Sequence, residues 1–225
     1  MDSNLYNVRV RMGRVELEGT LGVPEGARGV VLFAHGSGSS RHSPRNRFVA
    51  GTLRSSGLAT LLIDLLTPEE EQEDLRTGQL RFDIELLATR LVGATDWLAQ
   101  QPETRHMTVG YFGASTGGGA ALLAATQRPD AVGAVVSRGG RPDLAGPALA
   151  RVRAPTLLIV GERDAMVIAL NQTALARLGT PQKELAIVPG ASHLFEEPGA
   201  LEEVARLARD WFLRYLAPAA REHGA

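Results

Sequence analysis

Short runs rich in Val, Leu and Ile recur at 30–34, 58–63, 107–112, 131–136, 156–160 and 184–188, with helical patterns between them. Strands that are apolar nearly throughout are strands covered on both faces, and that covering comes from helices packed on either side of a sheet. The intervening patterns lie at 44–55, 80–100, 116–127, 144–152 and 165–178. A last one, 200–216, places Leu201, Val204, Leu207, Ala208, Trp211 and Phe212 on one helical face. Strand and helix in alternation predict an α/β fold with a mostly parallel sheet. Two earlier runs, 7–12 and 14–22, alternate in polarity around Gly13, with Arg9, Arg11, Arg14, Glu16 and Glu18 at every second position. They predict an N-terminal antiparallel hairpin and bring the sheet to eight strands. No repeat or linker interrupts the pattern, which is expected to form one domain over 1–217. The acidic run at 69–74 reads as a solvated loop and residues 218–225 as a fraying tail.

Charge excludes whole classes of function. The chain has 24 Lys and Arg against 25 Asp and Glu, a formal net charge of −1, so it lacks the basic excess that nucleic acid or an anionic membrane demands. It has no cysteine, which removes disulfides, thiolate metal sites and a cysteine nucleophile together. Met1-Asp2-Ser3-Asn4 does not open a secretory signal. The uncharged stretch 106–127 is long enough for a bilayer but carries too many Gly, Ser and Thr to face lipid. A cytoplasmic protein with a small-molecule substrate, no nucleic acid and no membrane partner is expected. Neither H-E-x-x-H nor a phosphate-binding G-x-x-x-x-G-K-[ST] occurs, and no cofactor or metal is implied.

In sheets of this kind, reactive groups collect on loops at the carboxyl ends of strands. One such loop, Gly113-Ala114-Ser115-Thr116-Gly117, fits G-x-S-x-G between a strand and a helix. There the turn lifts the serine hydroxyl above the sheet, and small neighbours are obligatory. The plainer alternative is a tight turn with serine capping the helix. A serine nucleophile needs a base, and the base needs an orienting acid, in the chain order Ser, Asp or Glu, His. Two histidines follow Ser115, and His223 sits in the tail, so His193 is the base. Asp164, just past the 156–160 strand, is the preferred acid, with Asp143 and Glu162 as alternatives. An oxyanion needs two backbone donors, for which the N–H groups of Thr116 and Ser37 are the candidates. Gly36-Ser37-Gly38 with Asp64 also imitates a dinucleotide-binding unit. Position 41, where the third glycine belongs, is Arg41, and that reading leaves Ser115, Asp164 and His193 idle.

With these residues in hand, the chain resembles the α/β-hydrolase superfamily, and within it the small dienelactone-hydrolase-like proteins. The resemblance runs from the hairpin to the last helix. It rests on His35-Gly36-Ser37-Gly38, Gly113-Ala114-Ser115-Thr116-Gly117, Gly161-Glu162-Arg163-Asp164 and Ser192-His193. It implies a three-layer α/β-hydrolase fold without a large cap domain, with Ser115 as nucleophile, His193 as base and Asp164 as its acid. Dienelactone hydrolases use cysteine where this chain has Ser115. The expected activity is hydrolysis of small ester-like substrates through an acyl-enzyme. Acyl transfer on the same chemistry and ligand binding without turnover are the alternatives. Only 137–155 separate the sixth strand from the seventh, too few residues for a lid there, so an open mouth is expected. Arg41, Arg138 and Arg141 near that mouth are candidates for holding an anionic substrate group.

Overall fold

The structure, a computed structural model, describes residues 5–216. The expected 218–225 tail and His223 lie outside the described residues. Eight strands form one sheet: β1 (Leu5–Met12), β2 (Val15–Gly22), β3 (Gly29–Ala34), β4 (Ala59–Ile63), β5 (Thr108–Ala114), β6 (Val132–Arg138), β7 (Thr156–Gly161) and β8 (Lys183–Val188). Their spatial order is β1-β2-β4-β3-β5-β6-β7-β8. β1 pairs antiparallel with β2, and β2 antiparallel with β4; every later pairing is parallel. The strands read from apolar runs are the buried ones: β3, β4 and β7 are covered along their whole length. β8 lies at an edge and is half solvated, with Lys183 at its start.

Six α-helices follow: α1 (Pro44–Ser55), α2 (Pro68–Thr77), α3 (Ile84–Leu98), α4 (Thr116–Gln127), α5 (Ala165–Arg177) and α6 (Ala200–Leu216). On one face of the sheet α1 and α6 bury Val49, Leu53, Val204, Trp211 and Phe212 against Phe33 and Phe112. On the other, α3 and α4 bury Leu87, Leu91, Ala121 and Leu122 against Leu32 and Tyr111. Three layers result, the α/β-hydrolase arrangement.

Three local expectations are corrected. The acidic run at 69–74 is not a loop but most of α2. Thr67 and Glu70 form a reciprocal capping box, Pro68 opens the helix and Gly78 ends it at φ 66°. The 80–100 pattern divides into a 3₁₀ turn, Leu80–Phe82, and α3, because Asp83 accepts from the N–H of Leu86 and starts a new helix. The 144–152 pattern is a 3₁₀ segment, Pro142–Arg151, broken by Gly146 at φ 52° before Pro147.

Candidate active site

β5 passes into α4 through one residue. Ser115 sits there at φ 50°, ψ −121°, a conformation that side chains other than glycine's rarely adopt. Its backbone is fixed on both sides. Its N–H donates to Arg138 O (3.2 Å), and its carbonyl accepts from the N–H groups of Gly118 and Arg141 (both 3.0 Å). The glycines of the motif have a steric reason. A Cβ on Gly113 would lie 2.5 Å from Gly117 O, and one on Gly117 would lie 2.3 Å from Ala34 O. Ser115 occupies the N-cap position of α4, yet its hydroxyl makes no capping bond, so the plainer capping alternative is not what the serine does.

The loops after β7 and β8 are stitched together. Arg163 N–H donates to Ala191 O (2.9 Å) and Gly190 N–H to Glu162 Oε2 (2.7 Å). This juxtaposition brings Asp164 Oδ2 to 2.6 Å from Nδ1 of His193. A carboxylate accepts, so the ring proton sits on Nδ1 and Nε2 is left as the basic nitrogen. Asp164 also stands at a helix N-cap position, that of α5, without capping it; its carboxylate is given to the histidine. The alternative acids are engaged elsewhere, Glu162 with Gly190 and Asp143 with the Arg141 guanidinium (2.9 and 2.8 Å). Ser115 and His193 line one cleft, with no hydrogen bond joining them.

The same cleft is lined by Arg138, the last residue of β6, buried to 7 % exposure. Its Nε and Nη1 are buried without a hydrogen-bond partner, and the guanidinium stands 5.8 Å over the ring of Phe195. Burial, and secondarily the positive charge of Arg45, pull its pKa down to about 10. Arg45 lines the same cleft, and its Nη1 reaches Glu196 Oε1 at 3.3 Å. The other two arginine candidates lie outside the cleft. Arg41 is held by Asp64 and Glu18, and Arg141 by Asp143.

The β3 loop approaches from the other side. Ser37 Oγ lies 3.2 Å from Thr116 Oγ1, so the two candidate oxyanion donors belong to adjacent residues in space. The loop is held from behind by half-buried His35. Its Nε2 accepts from Leu65 N–H (3.0 Å) and its Nδ1–H donates to Gly36 O (3.0 Å). Burial lowers the pKa of His35. Among the described residues, no three His, Asp or Glu side chains cluster as metal ligands, and no helix is long and apolar enough to cross a membrane. One feature was not legible in the sequence: a second recess beyond Ser37, bounded by Leu66 and Leu75. The only hint was a leucine inside the acidic run Glu69-Glu70-Glu71-Gln72-Glu73-Asp74-Leu75.

Residues 17–217 match the family model for the dienelactone hydrolase family. The chain belongs to that family. A dienelactone hydrolase structure from Anabaena variabilis ATCC 29413 superimposes with TM-score 0.94 at 66% identity, covering 96% of this chain and all of that one. Est1E of Butyrivibrio proteoclasticus shares the fold alone, with TM-score 0.75 at 15% identity over 92% of this chain and 98% of that one. A Mycobacterium tuberculosis protein named "Putative phosphoribosyl transferase" is 61% identical over 210 residues, which are 93% of this chain and 46% of that protein. The chain thus spans about half the length of that relative. A Bradyrhizobium protein named "Probable 2-oxo-3-(5-oxofuran-2-ylidene)propanoate lactonase" is 30% identical over 167 residues, 66% of each chain.

Proposed function

We propose that this hydrolase cleaves ester-like bonds of small substrates through an acyl-enzyme on Ser115. The observation carrying the reading is the 2.6 Å contact of Asp164 with His193 Nδ1, beside a serine held in a strained elbow. Ser115 Oγ bonds to the carbonyl carbon while its proton passes to His193 Nε2, and Asp164 stabilises the imidazolium. The carbonyl oxygen, now negative, is received by the N–H groups of Ser37 and Thr116. The bond to the leaving oxygen breaks as that oxygen takes the proton from Nε2. Water then attacks the acyl-enzyme, giving its proton to Nε2, which returns it to Oγ as the acid departs.

Arg138 gives the substrate a sign. A guanidinium buried with two unpartnered nitrogens is supplied with a counter-charge when an anionic substrate group enters the cleft. The Bradyrhizobium relative is named for a lactone bearing such a carboxylate. The phosphoribosyl transferase name belongs to a protein about twice as long, and the chemistry proposed for the matched portion is hydrolysis.

The test is covalent labelling with a fluorophosphonate, location of the adduct, and assay of short p-nitrophenyl esters by wild type and Ser115→Ala. The expected result is an adduct on Ser115 and turnover lost in the variant. No adduct there overturns the reading, and an adduct without ester turnover redirects it to acyl transfer.

A further inference from the structure

The loop after β3 lies between two recesses of different character. The first holds Ser115, His193, Arg138 and Arg45. The second shares Gly36, Ser37 and Ser39 with it, reaches Thr116, and extends toward α2, where Leu65, Leu66, Leu75 and Leu87 line it. The charged groups there are mostly committed to one another. Arg81 Nε holds Asp74 at 2.6 Å, and Asp64 is held by Arg41. Glu71, exposed on α2, adds a negative rim. Leu75 is three-quarters exposed on a helix whose other residues in that turn are charged or polar. An apolar side chain so placed offers an unoccupied contact surface beside the recess.

The proton transfers fix which half of a substrate goes where. His193 must protonate the departing oxygen, so the leaving group lies on the His193 side of the carbonyl. His193 borders the arginine cleft and does not border the second recess. The acyl group, on the far side of the carbonyl carbon, is directed over Ser37 toward the leucines. Charge gives the same orientation: with Asp64 and Asp74 paired to arginines, Glu71 leaves the rim of the second recess negative, whereas Arg138 and Arg45 receive an anion in the first.

Resting on the serine-hydrolase reading, we propose that the substrate is an ester of an apolar acid with an anionic alcohol. The acyl chain enters the recess beside α2, and the anionic group of the leaving alcohol is received by Arg138 and Arg45. Leu66 and Leu75 thereby set acyl-chain preference.

The experiment compares kcat/KM for acetyl, hexanoyl and succinyl esters of two phenols, 4-hydroxybenzoate and its methyl ester. In wild type, hexanoyl is expected to exceed acetyl by about tenfold. A free carboxylate on the phenol is expected to raise the rate, and one on the acyl group to lower it. Leu66→Trp, and Leu75→Asp at a solvent-exposed position that tolerates change, each lower the hexanoyl-to-acetyl ratio by about tenfold. Arg138→Ala abolishes the advantage of the phenol carboxylate. The proposal is overturned if both leucine variants leave that ratio unchanged, or if the rate gain belongs to the acyl carboxylate and disappears in Arg138→Ala. Those results occur in an enzyme that a fluorophosphonate still labels on Ser115. Loss of that label instead removes the serine-hydrolase reading beneath it.

Discussion

The backbone N–H of Ser115 donates to the carbonyl oxygen of Arg138 across 3.2 Å, so the strained elbow and the buried cation are tied through one peptide contact. The tie follows from sheet register: β5 and β6 run parallel with Ala114 opposite Arg138, and both end at the same edge. The backbone spacing of Ser115 and Arg138 is therefore set by the ends of two buried strands rather than by a loop.

Asp164→Asn tests the orienting acid. The amide keeps the shape but can present its NH₂ to Nδ1 and favour the wrong tautomer. We expect kcat for a short ester to fall by about 10³–10⁴ with the fold unchanged by circular dichroism. Asp143→Asn and Glu162→Gln, whose carboxylates are bonded to Arg141 and Gly190, change kcat by less than about tenfold. Equal losses in all three would show that no single carboxylate orients His193.

Gly117→Ala and Gly190→Ala separate crowding from backbone conformation. At Gly117 the new methyl would meet Ala34 O at 2.3 Å, and the backbone must shift two residues from Ser115. A loss of about 3 kcal/mol in urea unfolding is expected, with kcat reduced in the folded fraction. Gly190 has positive φ but open space around its Cβ position, so alanine there costs about 1–2 kcal/mol and leaves kcat intact. Comparable kcat in both variants would detach the glycine from the elbow's function.

The parts of the molecule legible from sequence were those with a local cause. β3 and β7 could be read because burial on both faces demands apolar runs, and Ser115 because its turn demands Gly113 and Gly117. The contact between Asp164 and His193 was anticipated from the place of Asp164 just past the 156–160 strand; chain order alone left Asp143 and Glu162 open. Partners brought together by the fold left no local mark. Arg41, Arg138 and Arg141 look alike in sequence. Only the fold gives Asp64 and Glu18 to the first and Asp143 to the third, leaving Arg138 in the cleft that Ser115 lines. α2 was hidden for a related reason. It buries just Asp74, which Arg81 holds from beyond the helix end, so it shows no apolar periodicity; its capping box and αL glycine make it a helix.

His35 predicts acid sensitivity. Burial lowers its folded pKa below the ordinary 6.5, while carboxylates at Asp64 and Glu71 oppose that shift without overcoming it. Below pH 6.5 the unfolded chain binds a proton that the folded chain refuses. Stability therefore falls as pH drops through this window, until the lowered folded pKa is reached, with a slope of at most about 1.4 kcal/mol per pH unit. Urea midpoints at pH 7.5 and 5.5 should differ more for wild type than for His35→Gln, whose amide can still accept from Leu65 and donate to Gly36 without titrating. Equal differences in the two proteins would mean that His35 is not the titrating group.

Arg138 should be a group that folding tolerates for the sake of binding. A pKa pulled down to about 10, well below the usual guanidinium range, corresponds to about 3 kcal/mol against the charged form. The charge persists at neutral pH, so this cost is fully present there and is relieved only as pH rises through about 10. Arg138→Met keeps the length and removes the charge; its Tm should equal or exceed that of wild type. Arg41→Met, which strips Asp64 and Glu18 of their cation, should lower Tm. Benzoate then distinguishes the two arginines. At a hundred times its Kd it raises wild-type stability by about 2.7 kcal/mol. The same titration should raise Tm in Arg41→Met and leave Arg138→Met unmoved. A benzoate response that survives in Arg138→Met would place the anion elsewhere and withdraw the charge preference assigned to the cleft.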